Sequence, residues 1–481
     1  MGGSEYSSLS NSGITWRTRE TSERPGMRIA GAVGLLGAAG VSFLMGGCAS
    51  VPQDAGFGET RAAVEARTGA RAVWNRGGEE DREVAEQTSA LLAKDMSADD
   101  AVQLAVLNNP ELQVVYEELG VAQADVVQAG LLKNPVFSAS VRFPARPYHG
   151  VDAGVEEEFV DLLFLPARKK MAESEFAASK ARVGGRVVAL AAEVRRAYYR
   201  AAAAGEIVGI RKEAQDAADS SAELAGRLFE AGNITELARD SYRAEAGQSK
   251  LDAGDAALEL AEARQELAKL MGLTMRLGEM RVAGGLAELP VKELAEEELR
   301  KRALGQRLEV IAARQEAAAL LQQKDVAGTA AAISGGSVGA ELVRDPDVKT
   351  TIGPAVSVAV PVFDQGQAAN AKAVAQWRQA QARVRETGAE VTAEVGLAFE
   401  RMSAARDRAA FDRETLFPLR QRMTQQTLQQ YNGMLASPFA LIEAKRAELS
   451  ARVEAVQAVE AYWIARADME KAIGGKLTED R

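Results

Sequence analysis

The mature part of the chain is written twice, and that limits its fold more than any other feature. Ala192-Glu193-Val194-Arg195-Arg196-Ala197-Tyr198-Tyr199-Arg200 matches Ala393-Glu394-Val395-Gly396-Leu397-Ala398-Phe399-Glu400-Arg401 at an offset of 201 residues. At the same offset Gly232 meets Gly433. A period this long exceeds any solenoid repeat, so a whole architectural half is duplicated.

Each half has one grammar. The first repeat is expected over 98–272 and the second over 294–475, with a linker at 273–293 between them. A helical stretch opens each half, at 98–132 and 294–326, and Asn108-Asn109-Pro110 interrupts the first. Strand pairs follow at 136–160 and 332–363. Very long helices are predicted over 166–231 and 366–431, then turns containing Gly232 and Gly433. Closing helices run over 235–272 and 436–475, and 476–481 is a tail. At 1.5 Å per residue the long helices are about 100 Å, which the two shorter helices of each half, laid end to end, could match. Apolar residues spaced three and four apart, such as Val187, Leu190, Val194 and Tyr198, set amid abundant alanine, predict closely packed antiparallel coiled coils.

The strand segments alternate with period two. Phe137, Ala139, Val141 and Phe143 alternate with Ser138, Ser140 and Arg142. Val151, Ala153 and Val155 alternate with Asp152, Gly154 and Glu156. In the second half Val338, Ala340 and Leu342 alternate with Gly339 and Glu341, and Ile352, Val356, Val358, Val360 and Val362 alternate with small residues. Four strands of about ten residues suit tilted bilayer spans. Four strands cannot close a barrel around an open lumen, and edges exposed to lipid are forbidden. Other copies of the chain must complete them, and three copies supply twelve strands.

The N-terminus reads as a processing signal over 1–47, with Met27 as the possible true start. An uncharged run over 29–45 follows Arg28. It ends in Met45-Gly46-Gly47-Cys48-Ala49-Ser50, which resembles the bacterial lipoprotein cleavage box. By that resemblance Cys48 is acylated, 48–97 is the lipidated N-terminal segment, and Ala49 directs the protein to the outer membrane. Composition removes other classes. The net charge of −10 excludes a basic nucleic-acid face. One histidine, His149, and one cysteine make a protein-built metal site a poor expectation. No phosphate-cradling Gly-Lys-Ser/Thr loop occurs, so neither an enzyme nor a cofactor is expected.

Ordered landmarks then carry a family resemblance. They are Asn108-Asn109-Pro110-Glu111-Leu112, Gly130-Leu131-Leu132-Lys133-Asn134-Pro135, Asp161-Leu162-Leu163-Phe164-Leu165-Pro166-Ala167-Arg168, Gly353-Pro354-Ala355 and Val360-Pro361-Val362-Phe363-Asp364-Gln365-Gly366-Gln367. With the duplication and the cleavage box, the chain resembles the outer-membrane efflux proteins of the TolC type, notably lipoprotein members serving tripartite pumps. The resemblance implies a mainly α fold with a small β part. It implies a homotrimer whose twelve-stranded barrel crosses the outer membrane and continues as an α-helical tunnel through the periplasm. It implies a passive duct for small molecules or metal cations, partnered by a periplasmic adaptor and an inner-membrane pump. The alternative is a lipoprotein rod or tether with no pore.

Site expectations follow. The turns holding Gly232, Asn233, Gly433 and Met434 are the adaptor-docking candidates, with both glycines left-handed. Arg227, Glu230, Glu236, Arg239, Asp240 and Tyr242 near the first turn, and Arg422, Tyr431, Glu443 and Arg446 near the second, are the gate candidates, since charges repeated by threefold symmetry form rings. Asp152, Glu156 and Glu158 are the acidic candidates for the barrel lumen. Pro166 and Pro361 are expected in the first turns of the long helices, and Gly366 at the bend from barrel to tunnel.

Overall fold

The computed structural model describes residues 50–142, 150–273, 280–290, 294–333, 335–344 and 349–477. Cys48 and His149 lie outside the described residues. Two short helices come first, α1 (Phe57–Thr68) and α2 (Glu79–Leu92). The first repeat is α3 (Ala98–Asn108), α4 (Pro110–Ala129), β1 (Val136–Arg142), β2 (Gly150–Glu158), α5 (Phe159–Glu230) and α6 (Glu236–Leu270). The second is α7 (Glu296–Gln306), α8 (Leu308–Ala332), β3 (Ser337–Arg344), β4 (Thr351–Ser357), α9 (Gln367–Phe411), a π-helical turn (Asp412–Leu416), α10 (Phe417–Asn432) and α11 (Pro438–Ile473). The fold is mainly helical with one small antiparallel sheet, ordered β1-β2-β3-β4. No described helix is long and apolar enough to cross a membrane.

The opening helix of each repeat is broken, and the break receives the end of the closing helix. Asn109 (φ −65°, ψ 120°) separates α3 from α4, and Arg307 (φ −65°, ψ 124°) separates α7 from α8. The first break follows from Pro110, which cannot donate to the preceding turn. The second has no proline and was not expected from sequence; tertiary contacts hold it. Asn109 Nδ2 donates to the Leu270 carbonyl at 2.8 Å, and Arg307 Nη1 to the Ala472 carbonyl at 3.1 Å. Each side chain thus satisfies a carbonyl that a helix end leaves unpaired. Gly272 (φ +67°) and Gly474 (φ +78°) reverse the chain there. A Cβ on Gly272 would lie 2.3 Å from the Asn108 carbonyl oxygen, so only glycine fits. The column beside α5 is therefore α6 followed by α4, and α3 packs across the join with six buried residues. This differs from the simpler end-to-end stack expected from lengths.

The core gathers around these joins. Phe57, Trp74 and Tyr116 pack together, with Tyr116 edge-on to Phe57 at 5.0 Å. Tyr199 of α5 stacks on Trp463 of α11 at 5.2 Å, which joins the halves. Arg195 is buried and donates to Glu470 (2.8 Å), Asp99 (3.1 Å) and the Thr68 carbonyl (3.3 Å). Burial pushes the Glu470 carboxyl up, and Arg195 opposes that shift. Four separate segments meet on this one guanidinium, whose planar fork suits several acceptors at once.

The duplication carries one hidden insertion. In the upper long helices burial repeats at 201 residues: Leu190 with Val391, Val194 with Val395, Ala197 with Ala398, and Ala201 with Met402. Lower down the offset is 202. The helix-capping Thr235 accepts from the Ala238 amide, as Ser437 does from Ala440, each at 3.2 Å. Gly272 and Gly474 keep that offset. One extra residue lies between, and the π turn at Asp412–Leu416 absorbs it. An unabsorbed residue would rotate everything below by about 100°. Pro418 lies just below the π turn; its ring nitrogen cannot donate to the preceding turn. Among the described residues the first repeat has no such turn, and α5 is continuous over 72 residues, about 110 Å.

Candidate functional site: a two-faced sheet and two helical turns

The sheet has two chemically distinct faces. Pairing register places Phe137 beside Val155, Ala340 and Pro354, and Ala139 beside Ala153, Leu342 and Ile352. Alternation puts these residues with Val141, Val151, Val338 and Val356 on one face. That face is apolar and uncovered; Phe137 is 69% and Ile352 74% exposed. Glu157 and Arg344 stand at its two ends. The opposite face carries Ser138, Ser140, Arg142, Asp152, Gly154, Glu156, Glu158, Gly339, Glu341, Thr351 and Gly353, with Val136 and Val343 among them. The outer strands β1 and β4 each leave one edge unpaired within the chain. Past β4, Val358, Val360 and Val362 continue the alternation and are exposed.

Asp152, Glu156 and Glu158 share the polar face. Arg142 donates to Asp152 at 3.0 Å, Ser337 to Glu156 at 3.1 Å and Lys133 to Glu158 at 2.6 Å. Glu341 joins them and was not singled out from sequence, because its strand neighbours are small or apolar. Its row is Ser138, Gly154, Glu341 and Gly353, so no bulky side chain flanks it. Among the described residues no group of His, Cys, Asp and Glu is placed to hold a metal ion.

The strand-to-helix junctions differ from expectation. Pro166 lies inside α5, not in its first turn, because the helix begins directly after β2 at Phe159. A Cβ on Gly336 would meet Val160 at 2.7 Å, so β3 packs tightly on this early start. Pro361 lies between β4 and α9, short of the first turn. Gly366 caps α9 with φ +79°, and a Cβ there would lie 2.1 Å from the Gly328 carbonyl oxygen of α8. Close approach of two backbones therefore requires this glycine.

The two turns share one hydrogen-bond pattern, displaced by a residue from the expected alignment. Gly232 N–H donates to Phe229 and Asn233 N–H to Leu228; Met434 N–H donates to Tyr431 and Leu435 N–H to Gln430. Gly232 is left-handed at φ +73°, but its counterpart is Met434 at φ +61°, and Gly433 has φ −82°. The hidden insertion is the reason. Met434 and Leu435 are 94% and 84% exposed.

The gate candidates fall into two groups. Arg227 pairs with Glu223 on its own helix. Arg239 pairs with Glu236 and Asp240, each at 2.8 Å, and lies over the Phe229 ring at 4.3 Å. The hydrogen bond from Arg239 holds the Asp240 carboxyl below its ordinary range. These contacts stay within the first hairpin, α5–α6. Tyr431 stands exposed at the foot of α10. Arg446 reaches Glu443 at 3.9 Å on its own helix and Glu245 of α6 at 2.7 Å. Tyr242 of α6 stacks on Phe439 of α11 at 4.3 Å, 15° from parallel. Glu245 and Phe439 were missed, since contacts between hairpins leave no local signature. Between these ties and the core lies a cavity of about 340 Å³ walled by Ile210, Ala214, Ala218, Ile442 and Leu449.

No protein-family model matches the chain, and no curated protein sequence does. Solved structures do. The outer-membrane channel OprN is 19% identical, with a TM-score of 0.64 over 87% of this chain and 95% of that one. The Campylobacter jejuni CmeC outer membrane channel is 17% identical, with a TM-score of 0.65 over 80% and 87%. The Neisseria gonorrhoeae MtrE outer membrane channel, in its open state, is 16% identical, with a TM-score of 0.63 over 78% and 88%. The fold is thus that of the TolC-type outer-membrane channels.

Proposed function

We propose that this chain is the outer-membrane duct of a tripartite efflux pump, working as a homotrimer. One observation carries the reading: a four-stranded sheet with an uncovered apolar face, a polar face and two open edges stands at one end of helices about 110 Å long. Sheet edges cannot be left open in lipid, so three copies close twelve strands, apolar face outward. The polar face then lines the lumen, where Asp152, Glu156, Glu158 and Glu341 outnumber their cationic partners Arg142 and Lys133 and favour cationic cargo.

The duct performs no chemistry; its energy comes from the pump. The turns at Gly232–Asn233 and Gly433–Met434 dock the adaptor, with Met434 and Leu435 as an exposed apolar contact. The ties Arg446–Glu245 and Tyr242–Phe439 hold the second hairpin against the first and keep the far end closed. Acylated Cys48 anchors each N-terminus to the outer membrane. The test is native mass after mild-detergent extraction of outer membranes. A trimer is expected; a monomer, or release by salt without detergent, would leave a pore-free lipoprotein rod as the better account.

A further inference from the structure

Two observations set the lower second hairpin apart. The first is the π turn itself, one extra residue followed by Pro418. Sharp helix bends concentrate at π turns and prolines, and π turns recur at functional sites. The second is burial. Below the π turn, α10 has no buried residue. The matching stretch of α5 buries Ala218, Ser221 and Ala225. Their counterparts at 202 residues, Arg420, Met423 and Thr427, are not buried.

The anchoring above the turn is different. Arg406, above it, donates to the Pro290 carbonyl at 2.8 Å, and Arg413, within the turn, donates to Glu288 at 3.3 Å, so the helix is pinned to the linker down to the turn itself. Thr424 donates to the Ala444 carbonyl at 3.1 Å, tying α10 to α11 and setting their antiparallel register. That register brings 412–416 level with 452–456. Val453 and Val456 lie at that level and Leu449 about one turn below it, level with 419; this last buried layer of α11 toward the tip packs on Ile207, Ile210 and Ala256. Below Leu449, α11 buries nothing.

We infer that the π turn at Asp412–Leu416 is a built-in hinge, about which α10 and the lower part of α11 swing as one arm while the first hairpin stays rigid. The inference rests on the duct reading, in which the arm's swing opens the far end. The inserted residue is the source of the hinge, because it leaves the backbone ladder locally unable to take regular α spacing. Pro418 keeps the ladder from re-forming across it.

The test is amide hydrogen exchange on the full protein in detergent, resolved by peptide. In the wild-type chain, 417–432 is expected to exchange about tenfold faster than 216–230, since local opening follows local packing. Deleting Glu414 together with Pro418→Ala restores continuous α spacing without rotating the tip. This variant is expected to slow 417–432 to within about threefold of 216–230. Pro418→Ala alone keeps the extra residue, so its arm is expected to stay fast. Equal rates in the two wild-type hairpins overturn the hinge. So does a deletion variant that stays fast, and a Pro418→Ala arm as slow as the deletion assigns the effect to proline, against the inserted residue. Native mass on the same samples separates the two claims. A fast arm in a monomer removes the duct and keeps the hinge; equal rates in a trimer do the reverse.

Discussion

Arg446→Ala is the sharpest test of the proposed closed end. Arg446 and Glu245 meet at 2.7 Å with side chains 57% and 22% exposed. A pair this open to water contributes about 0.5 kcal/mol. In a trimer that opens all at once, three copies sum to about 1.5 kcal/mol, or roughly a tenfold rise in the open-to-closed ratio. The stacked Tyr242 and Phe439 rings add about 1 kcal/mol per protomer beyond their burial. Arg446→Ala with Phe439→Ala therefore removes about 4.5 kcal/mol per trimer, roughly a thousandfold. The assay is open-time fraction of the purified protein in planar bilayers at low salt. Molar salt is expected to raise the wild-type open fraction and to leave Arg446→Ala nearly unchanged, because screening has already removed what the mutation deletes. Arg446→Glu combined with Glu245→Arg should return the closed end. An unchanged open fraction in Arg446→Ala, or a charge exchange that stays open, would refute the tether.

Three further outcomes are expected. Gly366→Ala forces a left-handed backbone on alanine and drives Cβ into the Gly328 carbonyl, costing about 3 kcal/mol or more; Gly433→Ala, at φ −82° with 3.5 Å of clearance, should cost under about 0.5 kcal/mol. Both are read by thermal unfolding followed by circular dichroism. Burial, with Glu259 adding, pushes Glu460 up to about 7, and Arg200 opposes. A raised carboxyl stabilises the fold below its unfolded value and loses that stability as pH rises through about 7, so Glu460→Gln should melt higher than wild type at pH 8, by about 1–2 kcal/mol after allowance for water that still reaches the site. The two should converge near pH 4. Arg195→Met strands Glu470 without its partner and should cost about 3–5 kcal/mol, most of it recovered by adding Glu470→Leu.

What was legible in the sequence is what local pattern determines. Period-two alternation places every described strand, because side chains of one face recur at every second residue. Pro110 announces the first helix break. The break at Arg307 has no such residue. It exists because the Ala472 carbonyl and the Gly474 turn press on it from the end of α11. The same division separates the gate candidates. Arg239, Glu236 and Asp240 lie within one turn of each other, while Glu245 and Phe439 matter only once two hairpins are laid side by side.

The misaligned turns follow from the same physics. Matching Gly232 to Gly433 assumes that helices tolerate no insertion between two fixed points. A helix absorbs one residue as a π turn and leaves the heights and faces above and below almost unchanged. Thr235 and Ser437, both capping residues, already stood 202 apart, and Pro418 marked where the extra residue could hide. The consequence is chemical as well as geometric. The left-handed position of the second turn falls on a methionine, where a side chain is strained by about 1 kcal/mol and is pushed into solvent. Glycine at 434 would relieve that strain and remove the exposed side chain proposed to meet the adaptor. A strained, nearly fully exposed methionine adds nothing to the stability of this chain alone, which is the reason the proposed adaptor contact is placed on it.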